Sequence, residues 1–346
     1  MKQEEIEKLR GNYISAGYGN YAAPYLEANF NSKRNKNRYY SGHVFHQSYG
    51  KGPVDDENSA SGNTKIDLEA KGFSKQLVTG AYLGFENMTS YFYGYETLPT
   101  VDRNNFKQSY TIYSVGGDLG NLNKSNFNYG LKGKFSYLED NYSAVESEVD
   151  VLFNSYYKLS DRNKVIINSD YIVIARRDEL VDAKPRHLFK INPAFQFKPI
   201  DELSLIVGVN TSIENDTIGK KSFHVYPNII ADYSLGQAVS LFANLTGDMD
   251  KVGLHTISKE NLWTAPNISI FHTNRSFDFS TGFKGKLGKM GVFNIGGAYA
   301  NLKNWYFYES LASDQAKFIV NYDGGNTGRM NLFAEVGYEK VKFMKF

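Results

Sequence analysis

The chain has 346 residues, with 39 Lys and Arg against 37 Asp and Glu for a net charge of +2, and no cysteine. This rules out disulfides and thiolate chemistry, and near-balanced charge with no basic stripe sets a nucleic-acid partner aside. No run of eighteen apolar residues occurs, so no spanning helix is expected, while 26 Tyr, 24 Phe and 31 Gly beside 8 Pro favour pleated strands. A mean hydropathy of −0.45 would ordinarily indicate a soluble chain. In a barrel strand, however, only every second side chain meets lipid, so a spanning segment averages to a middling value.

The first residues, MKQEEIEKLR, contain no apolar stretch of the kind an export signal needs. Residues 1-11 are therefore read as a lead-in outside the barrel and 12-346 as one structural unit. A barrel requires such a signal, so the expectation is a mature form or a fragment. From residue 12 onward, alternating segments are separated by eight tight turns at 32-38, 73-76, 120-125, 159-163, 198-202, 234-238, 287-291 and 323-329. Between them fall seven long polar loops at 47-62, 95-108, 138-147, 174-187, 213-222, 248-274 and 302-315. Short and long connections in strict alternation are what a bilayer-crossing series of hairpins produces. About seventeen strands can be counted, the first (12-18) short. Because single-chain bacterial barrels close with even numbers, the predicted fold is all-β, an antiparallel transmembrane β-barrel with about 16 strands.

Parity along each strand separates two faces. In 65-71, Ile66, Leu68 and Ala70 oppose Lys65, Asp67, Glu69 and Lys71, and in 127-137 Phe127, Leu131 and Phe135 oppose Lys132 and Lys134. Val149, Val151 and Phe153 oppose Glu148 and Asp150, and Phe189, Ile191 and Phe195 oppose Lys190. His224 and Asp232 share the polar face of their strand; Phe277, Phe279 and Phe283 oppose Asp278, Lys284 and Lys286; Met330, Leu332 and Val336 oppose Glu335 and Glu339. No charge falls on the apolar rows of these stretches. A cation facing lipid near the midplane costs about 2–4 kcal/mol, so the apolar rows are expected to face lipid and the charged set to line the lumen. Aromatic clusters at Tyr91 to Tyr95, at Tyr156 and Tyr157, and at Trp305 to Tyr308 read as interfacial girdles, with a carbohydrate-stacking platform as the alternative.

Catalytic and metal chemistry is not expected. His43 and His46 stand an odd number of residues apart on one strand and so point to opposite faces. His255, His272, Asp248 and Asp250 occupy the longest loop, expected to be solvated and extracellular. Asp-Gly-Gly-Asn at 323-326 reads as a hairpin turn. No cofactor is implied.

The runs GNYISAGYGNYAAPYLEANFN at 11-31, YYSGHVFHQSYGKG at 39-52, FENMTSYFYGYE at 85-96 and HVYPNIIADYSL at 224-235 resemble the large Bacteroidetes outer-membrane proteins of the TonB-dependent-receptor-like kind. The resemblance implies a barrel fragment in a Gram-negative outer membrane, acting in energised uptake of a bulky nutrient, although the plug and TonB box that such uptake requires are absent from these residues. Implied partners are outer-membrane lipid, a small solute and an energising or surface partner protein. Two alternatives stay open: a non-transporting structural or partner-docking barrel, and a soluble all-β carbohydrate-binding protein.

Overall fold

The computed structural model describes residues 11-33, 35-54, 56-92, 102-122, 125-216, 222-288 and 291-338. Strands β1 (Tyr13–Gly19), β2 (Ala23–Asn31), β3 (Arg38–Tyr49), β4 (Ser61–Phe73) and β5 (Leu77–Tyr91) are followed by β6 (Lys107–Asn121), β7 (Phe127–Asp140), β8 (Val145–Lys158), β9 (Asn163–Arg177) and β10 (Arg186–Ile200). Next come β11 (Leu203–Glu214), β12 (Phe223–Ser234), β13 (Val239–Asp250), a short helix α1 (Leu254–Glu260), β14 (Thr273–Leu287) and β15 (Gly291–Lys303). The chain ends with β16 (Tyr306–Leu311), β17 (Asp314–Tyr322) and β18 (Asn326–Tyr338).

From β1 to β15 every strand pairs antiparallel with its chain neighbour, and β18 then pairs with β15, which makes one 16-stranded sheet with β1 and β18 at its edges. This is the wall of an antiparallel β-barrel of the transmembrane kind. Its strands reach 15 residues in β5, β6, β9, β10 and β14, whereas crossing a bilayer takes about 9–11. The surplus extends beyond the membrane. Because it does, the connection expected at 138-147 shrinks to residues 141-144 between β7 and β8.

One of the seventeen strands counted in the sequence is the main departure. Residues 316-322 alternate like a wall strand, yet they belong to a two-stranded β16–β17 hairpin apart from the wall. The turn expected at 323-329 accordingly joins β17 to β18 on the long-loop side. The first strand, short as it is, is a full member of the sheet, paired with β2 from Tyr13 to Gly19. On the short side, β14 meets β15 through Gly288, whose φ of +65° lies in the left-handed region that glycine enters without a Cβ clash.

The apolar rows face outward. Leu83, Val115, Val149, Phe195, Phe279 and Ile295 are each more than a third exposed, spread from β5 to β15 along one continuous face. So large an apolar surface is untenable in water and matches hydrocarbon. Among the described residues no helix is long and apolar enough to cross a membrane. Phe279→Arg, near the middle of β14, is expected to destabilise the wall by about 2–4 kcal/mol. Ser280→Arg, on the opposite face, should cost much less, and urea unfolding in lipid vesicles checks the pair.

The buried core sits at the long-loop end, on the other face. Tyr110, Ile112, Leu138 and Ile257 are at most 4% exposed and form one cluster with Met88, Val252, Leu254, Ile268 and Ile270. Residues from the wall and from the connection after β13 thus share a single core. Register shifts at Thr246/Asp248 and Arg275/Phe277 are bulges, which bend and twist a strand locally. They lie near where β13 and β14 lead into that connection. The Trp305 to Tyr308 aromatics, expected in a girdle, instead lie at or beside the hairpin, and Phe92 is 1% exposed beside Tyr142. Tyr156 and Tyr157 are exposed on β8, while Tyr93 and Tyr95 lie outside the described residues.

Candidate functional site: a segment folded into the long-loop mouth

Residues 251-272, expected to be a solvated loop, turn back against the sheet. Their apolar content supplies the reason: Val252, Leu254, Ile257, Ile268 and Ile270 would lie exposed in a solvated loop, and here all are at most 6% exposed. The helix α1 begins against Glu146 of β8, whose carboxylate accepts the amides of Leu254 at 2.7 Å and His255 at 3.0 Å. Two of the four amides that a helix start leaves unpaired are thereby satisfied by a charged acceptor. Gly253 makes that approach feasible, since a Cβ there would come within 2.8 Å of Glu146 Oε1. At the other end of the helix, Thr264 donates its hydroxyl to the Asn261 carbonyl at 2.7 Å and Trp263 donates its ring N–H to the Tyr91 carbonyl at 3.1 Å.

Ion pairs fasten the segment to strands far away in sequence. Lys251 reaches Glu148 at 2.6 Å and Asp150 at 3.8 Å, and Lys259 reaches Glu86 at 2.9 Å. Arg176 donates to the Ile268 carbonyl at 2.6 Å and to Asp178 at 2.9 Å, while Asp178 also accepts the Asn267 amide at 2.8 Å. The hairpin closes over the other side. Phe318 exchanges backbone hydrogen bonds with Trp263 and Ala265, both at 2.8 Å, and Tyr306 and Tyr308 donate to Glu260. Burial first, and Glu260 second, raise the ionisation of both tyrosines well above the usual phenol range, and burial pushes Tyr322 up to about 12.

The two loop histidines are not solvated either. His272 is 1% exposed, and its Nδ1 faces the amide of Val252 at 3.1 Å and the Arg186 guanidinium at 2.8 Å. Arg186 also lies 3.2 Å from Nε2, so it is the Val252 amide that requires Nδ1 to be an acceptor. Burial, reinforced by Arg186, lowers its pKa to about 3, and burial with Lys259, Lys134 and Lys251 lowers that of His255 to about 4. Both folded values lie below the ordinary 6.5. The docked state therefore binds fewer protons than the undocked one; its stability is complete above about pH 6.5 and falls as the pH drops towards 4 and 3. Acidification from pH 7 to pH 4 is expected to loosen the segment, read as a change in Trp263 emission that His272→Asn reduces.

Most of the other residues expected to line the lumen find an opposite charge, some along one strand and some across strands. Lys65 meets Asp67 at 3.3 Å, Lys71 meets Glu69 at 2.6 Å, and Lys190 meets Asp248 at 2.9 Å. Lys284 pairs with Asp232, Asp278 with Arg275 at 2.9 Å, and His224 with Glu214 at 3.1 Å. Asp250 binds Arg275 at 3.0 Å. Lys132 stands opposite Asp118 in the register, Lys134 opposite Asp150, Lys286 opposite Val292 and Glu335 opposite Asn294. Glu339 lies outside the described residues. His43 lies 3.5 Å from both Glu27 and Asp67, while His46 bonds Thr64 at 2.8 Å on the opposite parity. Among the described residues no three such groups converge as a metal site requires.

Glu146, Glu86, Lys251, Lys259, Arg176 and Arg186 had not been singled out from sequence. Glu146 has the parity of Glu148 and Asp150, which was the available signal.

Solved structures share this fold. The chain superposes on the siderophore receptor PirA from Pseudomonas aeruginosa with a TM-score of 0.65 at 8% identity, over 91% of this chain and 57% of that one. A mutant of the ferric enterobactin receptor PfeA from the same organism, in complex with enterobactin, gives 0.65 at 10% identity over 93% and 58%. The copper transporter OprC gives 0.65 at 11% identity over 95% and 58%. The chain spans less than three fifths of the length of each. No family model and no curated protein matches the sequence.

Proposed function

We propose that this chain forms the barrel wall of an outer-membrane transport protein of the TonB-dependent-receptor-like kind, carrying a solute across the outer membrane without catalysing a reaction. The observation that carries the reading is the contrast between the two faces of one 16-stranded sheet: an outward apolar belt, and an opposite face of paired charges narrowed at the long-loop end by residues 251-272. Likeness in fold to receptors and transporters supports it. In this reading Lys65, Asp67, Glu69, Lys71, Lys132, Lys134, Glu148, Asp150, Lys190, His224, Asp232, Asp278, Lys284, Lys286 and Glu335 line a wet passage. Opposed charges there hold both the wall and a water-filled path. Its partners are membrane lipid, a small solute, and an energising or surface protein.

A second reading, a barrel that docks partners and transports nothing, draws on the dry core at the mouth, where Leu138 is 1% and Ile257 0% exposed. Planar-bilayer recording on the refolded chain separates the two. Steady current through the wild-type chain, cation-to-anion selectivity that shifts on Lys134→Glu, and faster liposome swelling with small sugars support transport. A silent membrane with correctly inserted protein would overturn it.

A further inference from the structure

A cavity of about 410 Å³ opens beside the folded-in segment, between the 178-185 connection, Asn215 and Asp216, and residues 268-271. That size falls among small-molecule sites, which run to roughly 300–1,000 Å³. Its walls are chiefly apolar, from Val181, Pro185, Ile268, Ile270 and Phe271. Three cations reach it, Arg176, Lys184 and Arg186. Asp178 answers the first and Asp216 the third, at 2.9 and 2.7 Å, so one positive charge in the lining is unanswered among the described residues. Lys184 is exposed at the rim. Deeper in, the Arg176 side chain is 5% exposed and its guanidinium is held by Asp178 and the Ile268 carbonyl. An apolar chamber under an ammonium with no acidic partner among the described residues is complementary to an anion attached to an apolar body.

We propose that this cavity binds a small amphiphilic carboxylate, its carboxylate held by Lys184 at the rim and its hydrocarbon part against Val181, Ile270 and Phe271. The assignment deepens the transport reading, on which the description of the ligand as a transported solute rests. Specificity follows from the same two features. A neutral isostere fills the volume but leaves Lys184 unanswered, and a cationic one meets repulsion.

The probe is 1-naphthylacetate, with 2-(1-naphthyl)ethanol as the neutral comparison, titrated into the whole chain in lipid nanodiscs and followed by calorimetry. The carboxylate is expected to bind at least about tenfold more tightly than the alcohol, the order of one charge-assisted hydrogen bond. Lys184→Met should remove most of that preference. Val181→Trp, which fills the chamber and leaves every charge in place, should abolish binding of both compounds. Equal affinity for acid and alcohol, or binding indifferent to Val181→Trp, overturns the site. A chain that conducts in bilayers yet fails to bind naphthylacetate sinks the site and leaves transport standing; a chain that binds it yet stays silent does the reverse.

Discussion

Replacing residues 254-270 with a short Gly-Ser connection is expected to raise the single-channel conductance of the reconstituted barrel several-fold while leaving its strand content unchanged. Asp250 and Thr273 are register partners in the β13–β14 ladder, and Val252 already lies within hydrogen-bond reach of His272. A few residues therefore bridge the excision without strain on either strand. The wall keeps every one of its own pairings, since none of the sixteen strands belongs to the deleted stretch. What disappears is the cluster around Ile257 and the Lys259 contact to Glu86, so side chains now enclosed by the segment meet water. Planar-bilayer recording measures the conductance and circular dichroism the strand content. An unchanged current would show that the segment does not narrow the conducting path.

The second large effect is expected from a single carboxylate. Glu146→Ala leaves the Leu254 and His255 amides without an acceptor at the start of α1, in a region where Leu254 is 3% exposed. Hydrogen bonds to a charged group contribute about 1.5–3 kcal/mol each, so losing both should weaken docking by about 3–6 kcal/mol. That is enough to turn a closed segment into a frequently open one. Hydrogen exchange at the amides of residues 254-260 should accelerate by orders of magnitude while the β7–β8 ladder stays protected. Glu148→Ala, which strips no amide of its acceptor and leaves Lys251 within 3.8 Å of Asp150, is expected to have a smaller effect. Equal exchange in the two variants would show that the carboxylate at 146 does not anchor the helix.

The wall was legible because a strand repeats every two residues, and a lipid-facing row admits no charge: Phe279 against Asp278, or Val149 against Glu148, can be read from the letters alone. Strand identity in space was not. Phe318 and Val320 alternate with their neighbours as wall residues do, and Asp-Gly-Gly-Asn is a sound turn on either side of a membrane. Only the partner distinguishes hairpin from stave, and β17 pairs with β16. The folded-in segment carried a signal in its own composition. A solvated loop has no use for Leu254, Ile257, Leu262, Ile268 and Ile270 at close spacing, and their density marks buried chain. Glu146 was harder to recognise, because one more carboxylate in a polar row looks like its neighbours until a helix start is placed against it. Arg176 and Arg186 likewise acquire meaning only from Ile268 and His272, some ninety residues onward.

The bond pair joining Phe318 to Trp263 and Ala265 also has a mechanical meaning. Tension applied at the exposed tip between Leu311 and Asp314 is delivered to Trp263 as a pull on the helix that follows Gly253. The hairpin is thus a lever with its fulcrum at the rim, and any body that grips it on the long-loop side gains purchase on the interior without entering.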